Sequence, residues 1–223
     1  SSAKKALRSG LAEHPLRAAL ERMGACCPCC PGARATGVRK AAAGPAELEE
    51  EYERMCAGYD RQTGAAQVTA QELRAWLADP GQEVVVLDIR GRNEHDVSTL
   101  PGARLLTPTA GGMAKALAGV GHLSFHGEVP RADSIPENAK VVCHCTAGLR
   151  SGFACAAIQR EWKAQGCERA VFSLHGGIVS WVNAGGQVAD PTRGEPSTAV
   201  HTFGAKWQPY VREREDMKAV TAP

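Results

Sequence analysis

An excess of charge of one sign is nearly absent from this chain. Its 223 residues hold 26 Lys/Arg against 24 Asp/Glu, a formal net charge of +2, which is not the basic field that a nucleic-acid partner needs. Long apolar runs are absent too. The longest aliphatic run in strand-like sequence is Val84 to Leu87, far short of the 18 or more residues of a membrane span. No second Cys/His pair stands at zinc-finger spacing after the Cys143-His144-Cys145 triplet, and alternation along a strand sends His144 to the face opposite its neighbours, so no metal site is expected there. An initiator methionine is also missing: the chain opens on Ser1 and Ser2, which reads as a removed tag or a processed precursor. Eight Lys/Arg against Glu13 and Glu21 alone over residues 1–46, with many alanines, resemble the mature side of a transit peptide and point to a mitochondrion or plastid.

What the chain does have is cysteine, nine residues in all. The number is odd, and a chain of this length builds its core without disulfides, so thiol chemistry in a reducing compartment is the simpler expectation. Four of the nine form the knot Cys26, Cys27, Cys29 and Cys30, too tight for all four to ligate one tetrahedral ion. This knot reads as a thiol patch outside catalysis.

The chain divides into three parts. Residues 1–66 read as an N-terminal extension, with an amphipathic helix carrying Leu16, Ala19, Leu20 and Met23 and a second helix from Pro45 carrying Leu48, Tyr52 and Met55 on one face. Residues 67–189 alternate strand and helix signals. Thr69 and Glu72 form a capping box, residues 83–90 and 139–145 are buried-strand runs, residues 112–123 read as a helix weakened by glycines, and a third strand precedes Gly176. That alternation predicts an α/β fold with a mainly parallel sheet. Residues 190–223 read as a C-terminal tail with Phe203, Trp207 and Tyr210 spaced along it. Both extensions are candidate contacts for a protein partner.

In such sheets ligands gather at the carboxyl ends of strands. Cys145 stands at one such end, and residues 146–151 precede or open a helix. Successive N–H groups of this loop, with Arg150 behind them, can converge on an anion. If that anion is the Cys145 sulfur, its pKa falls and the thiolate becomes a nucleophile at neutral pH.

The segment 87–105 (LDIRGRNEHDVSTLPGARL), the loop CTAGLRS (145–151) and the segment 171–188 (VFSLHGGIVSWVNAGGQV) together resemble the rhodanese family of single-domain sulfurtransferases. Asp88, Arg90, Glu94, Pro101, Gly102 and Ala103 match the first motif, while Ser98 and Thr99 stand where the family usually shows Gly-His. The resemblance implies a three-layer α/β/α rhodanese-like domain and a persulfide mechanism with no cofactor. Cys145 would take sulfur from a small anion such as thiosulfate and pass it to a thiol or other thiophilic acceptor. Thr146, Ala147, Gly148, Leu149 and Ser151 would cradle the persulfide, and Arg150 would attract the donor and stabilise departing charge. Thr146 replaces the basic residue that many members carry there, which sets thiosulfate preference apart. Related tyrosine-phosphatase loops put five residues between cysteine and arginine; here four intervene, a cradle sized for one sulfur rather than for a phosphate. Rhodanese-like domains also serve as binding modules, so an accessory subunit of a larger organellar complex, anchored by the two extensions, is the competing expectation.

Cys143 and Cys155 read as core residues, with Cys155 also within reach of resolving an oxidised Cys145. His122, His126, His175 and His201 show no nucleophile–base pattern and read as structural or exposed.

Overall fold

The structure, a computed structural model, describes residues 44–212 and 214–221. The expected helix around Leu16 and the cysteine knot lie outside the described residues.

Helix α1 (Pro45–Thr63) starts with a proline in its first turn and ends at Gly64 in the left-handed conformation, the usual proline-first, glycine-last arrangement. Its buried face is Tyr52 and Cys56; Leu48 and Met55 are only partly covered. The i, i+4 pair therefore sets the docking face, one position away from the Leu48–Tyr52–Met55 stripe expected from hydrophobicity. Strand β1 (Ala66–Val68) and helix α2 (Ala70–Ala78) follow, and the Thr69/Glu72 capping box is formed, with Thr69 Oγ1 accepting from the Glu72 N–H at 3.2 Å.

The centre is a five-stranded sheet in the order β1-β5-β4-β2-β3, all pairs parallel. It adds β2 (Val84–Asp88), β3 (Arg104–Leu105), β4 (Lys140–His144) and β5 (Val171–Leu174). Short α3 (Arg92–His95) follows β2; α4 (Ala110–Leu117), α5 (Leu149–Ala164) and α6 (Gly177–Asn183) complete the helices. Two strands of this sheet are not legible in the sequence. β1 and β3 are three and two residues long, too short for a periodic signal. The helix expected over 112–123 stops at Leu117, and Gly119 has positive φ (68°).

Alternate residues of the central strands feed two cores. Val86, Val142 and Leu174 face α2, α6, α1 and the tail, whereas Val85, Val141, Cys143 and Val171 face α5 with Ile158 and Trp162. This two-sided burial explains why β2 and β4 read as unbroken apolar runs. Each fully buried aliphatic side chain contributes about 1.5–3 kcal/mol. The tail adds β6 (Val188–Ala189) with β7 (Pro196–Ser197), β8 (Ala199–His201) with β9 (Lys218–Val220), and a 3-10 turn over Ala205–Tyr210. Trp207, Val211 and Met217 from it enter the core shared with Tyr52 and Cys56. Among the described residues no helix is long and apolar enough to cross a membrane.

Helix α1 lies directly on α5. A Cβ at Gly152 would sit 2.4 Å from Thr63 Oγ1 and 2.7 Å from Thr63 Cβ, so glycine is what permits the approach. Gly152→Ala is expected to destabilise the fold by about 1–3 kcal/mol, and Thr63→Gly in the same chain to restore much of that loss. Denaturant midpoints of the two single variants and the double variant check the coupling.

Candidate functional site

β2 and β4 are neighbours in register, with Asp88 opposite His144. Chain order reverses between them, β3 lying beyond β2 and β5 beyond β4, which is the crevice where such sheets hold ligands. The two strand ends build two polar layers.

The lower layer is centred on buried Asp88. Its carboxylate accepts from the Arg90 guanidinium at 2.9 and 2.7 Å and from Thr99 Oγ1 at 2.8 Å, and lies 2.9 Å from His95 Nδ1. Burial alone would raise the Asp88 pKa, but His144, Arg90 and His95 hold it well below the usual carboxylate range. His144 is fully buried, and that burial lowers its pKa to about 4, so it is neutral at physiological pH. Thr99 thus occupies a structural place in this layer, which gives a physical role to one of the two departures from the family pattern.

The upper layer surrounds Cys145, which is only 2% exposed. Its Sγ accepts from the Gly148 N–H at 3.2 Å and from Ser151 Oγ at 3.5 Å, and Ser151 Oγ lies 2.9 Å from Ser173 Oγ. The loop carbonyls are pinned from the other side: the N–H groups of Ile178 and Val179 donate to Cys145 O at 2.8 Å and Thr146 O at 3.4 Å. Gly177 makes this possible. It has φ 55°, and a Cβ there would lie 2.3 Å from Cys145 O. The sulfur therefore sits where backbone and hydroxyl donors meet, the arrangement that stabilises a thiolate or a persulfide.

Of the other expected site residues, Thr146 is buried with its hydroxyl in an ion-pair network rather than over the sulfur. Ala147 joins the core beneath Tyr52, and Leu149 opens α5. Arg150 is turned to Glu94. Its two terminal nitrogens meet the two carboxylate oxygens at 2.6 and 2.7 Å, and one of them also donates to Thr146 Oγ1 at 2.9 Å. Burial would raise Glu94, yet Arg150 beside it keeps its pKa below the usual value; the same pairing raises Arg150 against its own burial. The Phe203 ring covers the guanidinium at 4.7 Å, a cation–π contact.

Several members of the site were not found from sequence. Tyr52 donates to Gly176 O at 2.7 Å and Thr146 O at 3.3 Å, so α1 closes over the loop. Cys56 lies one turn further along the same face, fully buried, and burial pushes its thiol pKa well up against the lowering hydrogen bond of Tyr52. His175, read as structural or exposed, holds α1 down: its ring nitrogens lie 2.6 Å from Asp60 Oδ2 and 3.0 Å from the Glu53 carboxylate. Phe203, one of the aromatics spaced along the expected tail, lies over Arg150. Local pattern carries no trace of these contacts except the Tyr52–Cys56 spacing. Cys155 packs with Cys143 in the core on the α5 side, as expected for a core cysteine. Among the described residues no group of three or more His, Cys, Asp or Glu side chains is placed to hold a metal ion.

Residues 69–184 match the family model of the rhodanese-like domain. Probable adenylyltransferase/sulfurtransferase MoeZ of Mycobacterium tuberculosis is 31% identical over 114 residues, 51% of this chain and 24% of that protein; the chain thus spans about a quarter of the length of the curated relatives it matches. The crystal structure of thiosulfate sulfurtransferase from Pseudomonas aeruginosa aligns with 61% of this chain and 22% of its own, at 22% identity and TM-score 0.40. The polysulfide-sulfur transferase homodimer of Wolinella succinogenes aligns with 68% of this chain and 96% of its own, at 12% identity and TM-score 0.39.

Two expectations follow from the cover on the loop. Tyr52→Phe removes a buried hydrogen bond of about 1 kcal/mol, and should speed alkylation of Cys145 by iodoacetamide about fivefold through easier local opening. Burial would lower the His175 pKa, but hydrogen bonds to Glu53 and Asp60 outweigh it and raise it above the ordinary 6.5. Because the folded value is the higher one, this ring's stabilisation is complete below the unfolded value and is lost as pH rises through the folded one. The stability difference between wild type and His175→Gln, measured by denaturant titration, should shrink across that window.

Proposed function

The chain belongs to the rhodanese-like domain family, and from that premise we propose that it is a sulfurtransferase carrying sulfane sulfur as a persulfide on Cys145. The observation that carries the reading is the donor set around one strand-end sulfur, the Gly148 N–H at 3.2 Å and the Ser151 hydroxyl at 3.5 Å. Cys145 thiolate attacks the outer sulfur of a donor such as thiosulfate. The donor S–S bond breaks, sulfite departs with its electron pair, and Cys145 holds the sulfur as a persulfide. A thiophilic acceptor, cyanide or a cellular thiol, then attacks the outer sulfur and regenerates the thiolate. The backbone of Thr146, Ala147, Gly148, Leu149 and Ser151 forms the persulfide cradle, and Arg150 stabilises charge on the loop while the S–S bond breaks. Because Cys145 is 2% exposed and Tyr52 ties α1 to the carbonyl of the adjacent Thr146, loading requires the loop or its cover to open, a gating step of the kind that lids perform.

That same cover favours a second reading. A rhodanese-like domain whose loop is closed by its own extensions also suits a binding module or accessory subunit of a larger organellar complex, anchored through residues 1–66 and 190–223. Residence in a mitochondrion or plastid belongs to this reading and rests on the basic, alanine-rich residues 1–46.

Mass spectrometry of the intact protein after incubation with thiosulfate or a persulfide donor separates the two. Sulfur transfer requires a gain of one sulfur atom that is absent in Cys145→Ser. No gain with any donor would leave the binding module as the function.

A further inference from the structure

We infer that His175 is a pH-sensitive latch that holds α1 against the Cys145 loop, and that the loop opens as the pH rises and the ring loses its second proton. Such a latch governs access to Cys145 whatever chemistry the sulfur performs.

The ring stands at the end of β5, and the backbone N–H of His175 donates to Val68 O at 2.9 Å, so its base is part of the sheet. Both side-chain nitrogens meet carboxylates of α1. Nδ1 lies 2.6 Å from Asp60 Oδ2, and Nε2 lies 3.0 Å from each oxygen of Glu53. An ionised carboxylate only accepts, and a neutral imidazole has a single N–H to give. Both contacts are therefore hydrogen bonds only in the doubly protonated ring. In the neutral ring one nitrogen lone pair is set against a carboxylate oxygen, so two-point attachment of α1 requires the imidazolium.

The two ties flank the loop. Asp60 stands beside Gly148, where a Cβ would lie 3.9 Å from Asp60 Oδ1, and the Gly148 N–H donates to Cys145 Sγ at 3.2 Å. Glu53 follows Tyr52, whose hydroxyl donates to Gly176 O and Thr146 O. Loss of either tie frees a part of α1 that touches the loop or lies beside it.

The ring lines a groove of about 520 Å³ between α1, α6 and the tail turn, and its side chain is 18% exposed, which opens it to exchange of protons with water. Around that groove α1 adds Glu49 and Tyr52, and the tail adds Tyr210 and Arg212, with Arg212 paired to Glu49. The start of α2 and the body of α6 face it with the neutral side chains of Thr69, Gln71, Ser180 and Asn183. The charge balance at the ring is therefore set by Asp60 and Glu53. Burial would lower the His175 pKa, but these two carboxylates outweigh burial and raise it above the ordinary 6.5. Because the folded value is the raised one, the ties are complete below the unfolded value and are lost as pH rises through the folded one. Opening thus runs in the same direction as ionisation of thiols, so access and nucleophilicity increase together.

Hydrogen exchange of the full chain tests the latch, followed by mass spectrometry on peptides covering residues 49–60 and 145–152 from about pH 5 to about pH 9 and corrected for intrinsic exchange rates. Wild-type protection of both segments should fall roughly tenfold in one step above pH 6.5. His175→Gln should show no step and should exchange at the open wild-type rate at every pH. Glu53→Gln, which changes the exposed partner of the ring, should keep the step and move it to lower pH, a shift that mere loosening of α1 does not produce. Local opening exposes little surface, so the step should be the same in water and in low urea. A step that steepens with urea as the exchange of the β4 amides does is global unfolding and overturns the latch. So does flat wild-type protection, a step that survives in His175→Gln, or a Glu53→Gln midpoint equal to that of wild type. The readout uses no sulfur donor, so failure of the latch is distinct from failure of sulfur transfer at Cys145.

Discussion

The Glu94–Arg150 ion pair ties the two strand ends together. Glu94 stands on the short helix after β2, and Arg150 on the first turn of the helix after β4. Their forked contact, with the Thr146 hydroxyl inserted between them, fixes the loop that carries Cys145. Deleting one partner of a pair this deeply placed leaves a charge with no compensation, a cost of about 3–5 kcal/mol. The loop geometry therefore depends on a residue 51 positions upstream of the nucleophile. Beneath it, the Asp88 layer supports the same strand ends with a buried carboxylate that four side chains surround.

A second constraint comes from outside the sheet. Helix α1 and the tail each place an aromatic residue on the loop, Tyr52 over Thr146 and Gly176, and Phe203 over Arg150. Tyr52 is in turn packed among Trp207 and Tyr210, with ring centroids 6.5 and 5.1 Å away. The two extensions thus hold each other as well as the site. The His175 contacts to Asp60 and Glu53 connect that cover to the protonation state of one imidazole.

The central elements were legible because their signals are local. Val84–Leu87 and the run ending at Cys143 are apolar on both faces, as strands of a doubly covered parallel sheet must be, and the capping box at Thr69 lies within four residues. Cys145 was legible for the same reason, since a cysteine between a buried strand and a helix start has one place to go in such a fold. Short β1 and β3 were not, because two or three residues draw their pairing from neighbours rather than from periodicity. The buried face of α1 lies one position from its hydrophobic stripe, since Leu48 and Met55 are as apolar as Cys56 and only the surface they meet distinguishes them.

The sequence by itself determined the α/β class, the strand-end position of Cys145 and the four-residue spacing to Arg150, all of them consequences of local pattern. Only the tertiary structure decided what Arg150 faces and what closes on the loop. Tyr52 meets Gly176 across 124 residues, Glu94 meets Arg150 across 56, and His175 meets Glu53 across 122. Contacts at such separations are selected by packing and charge in the folded chain, and no spacing rule along the sequence encodes them.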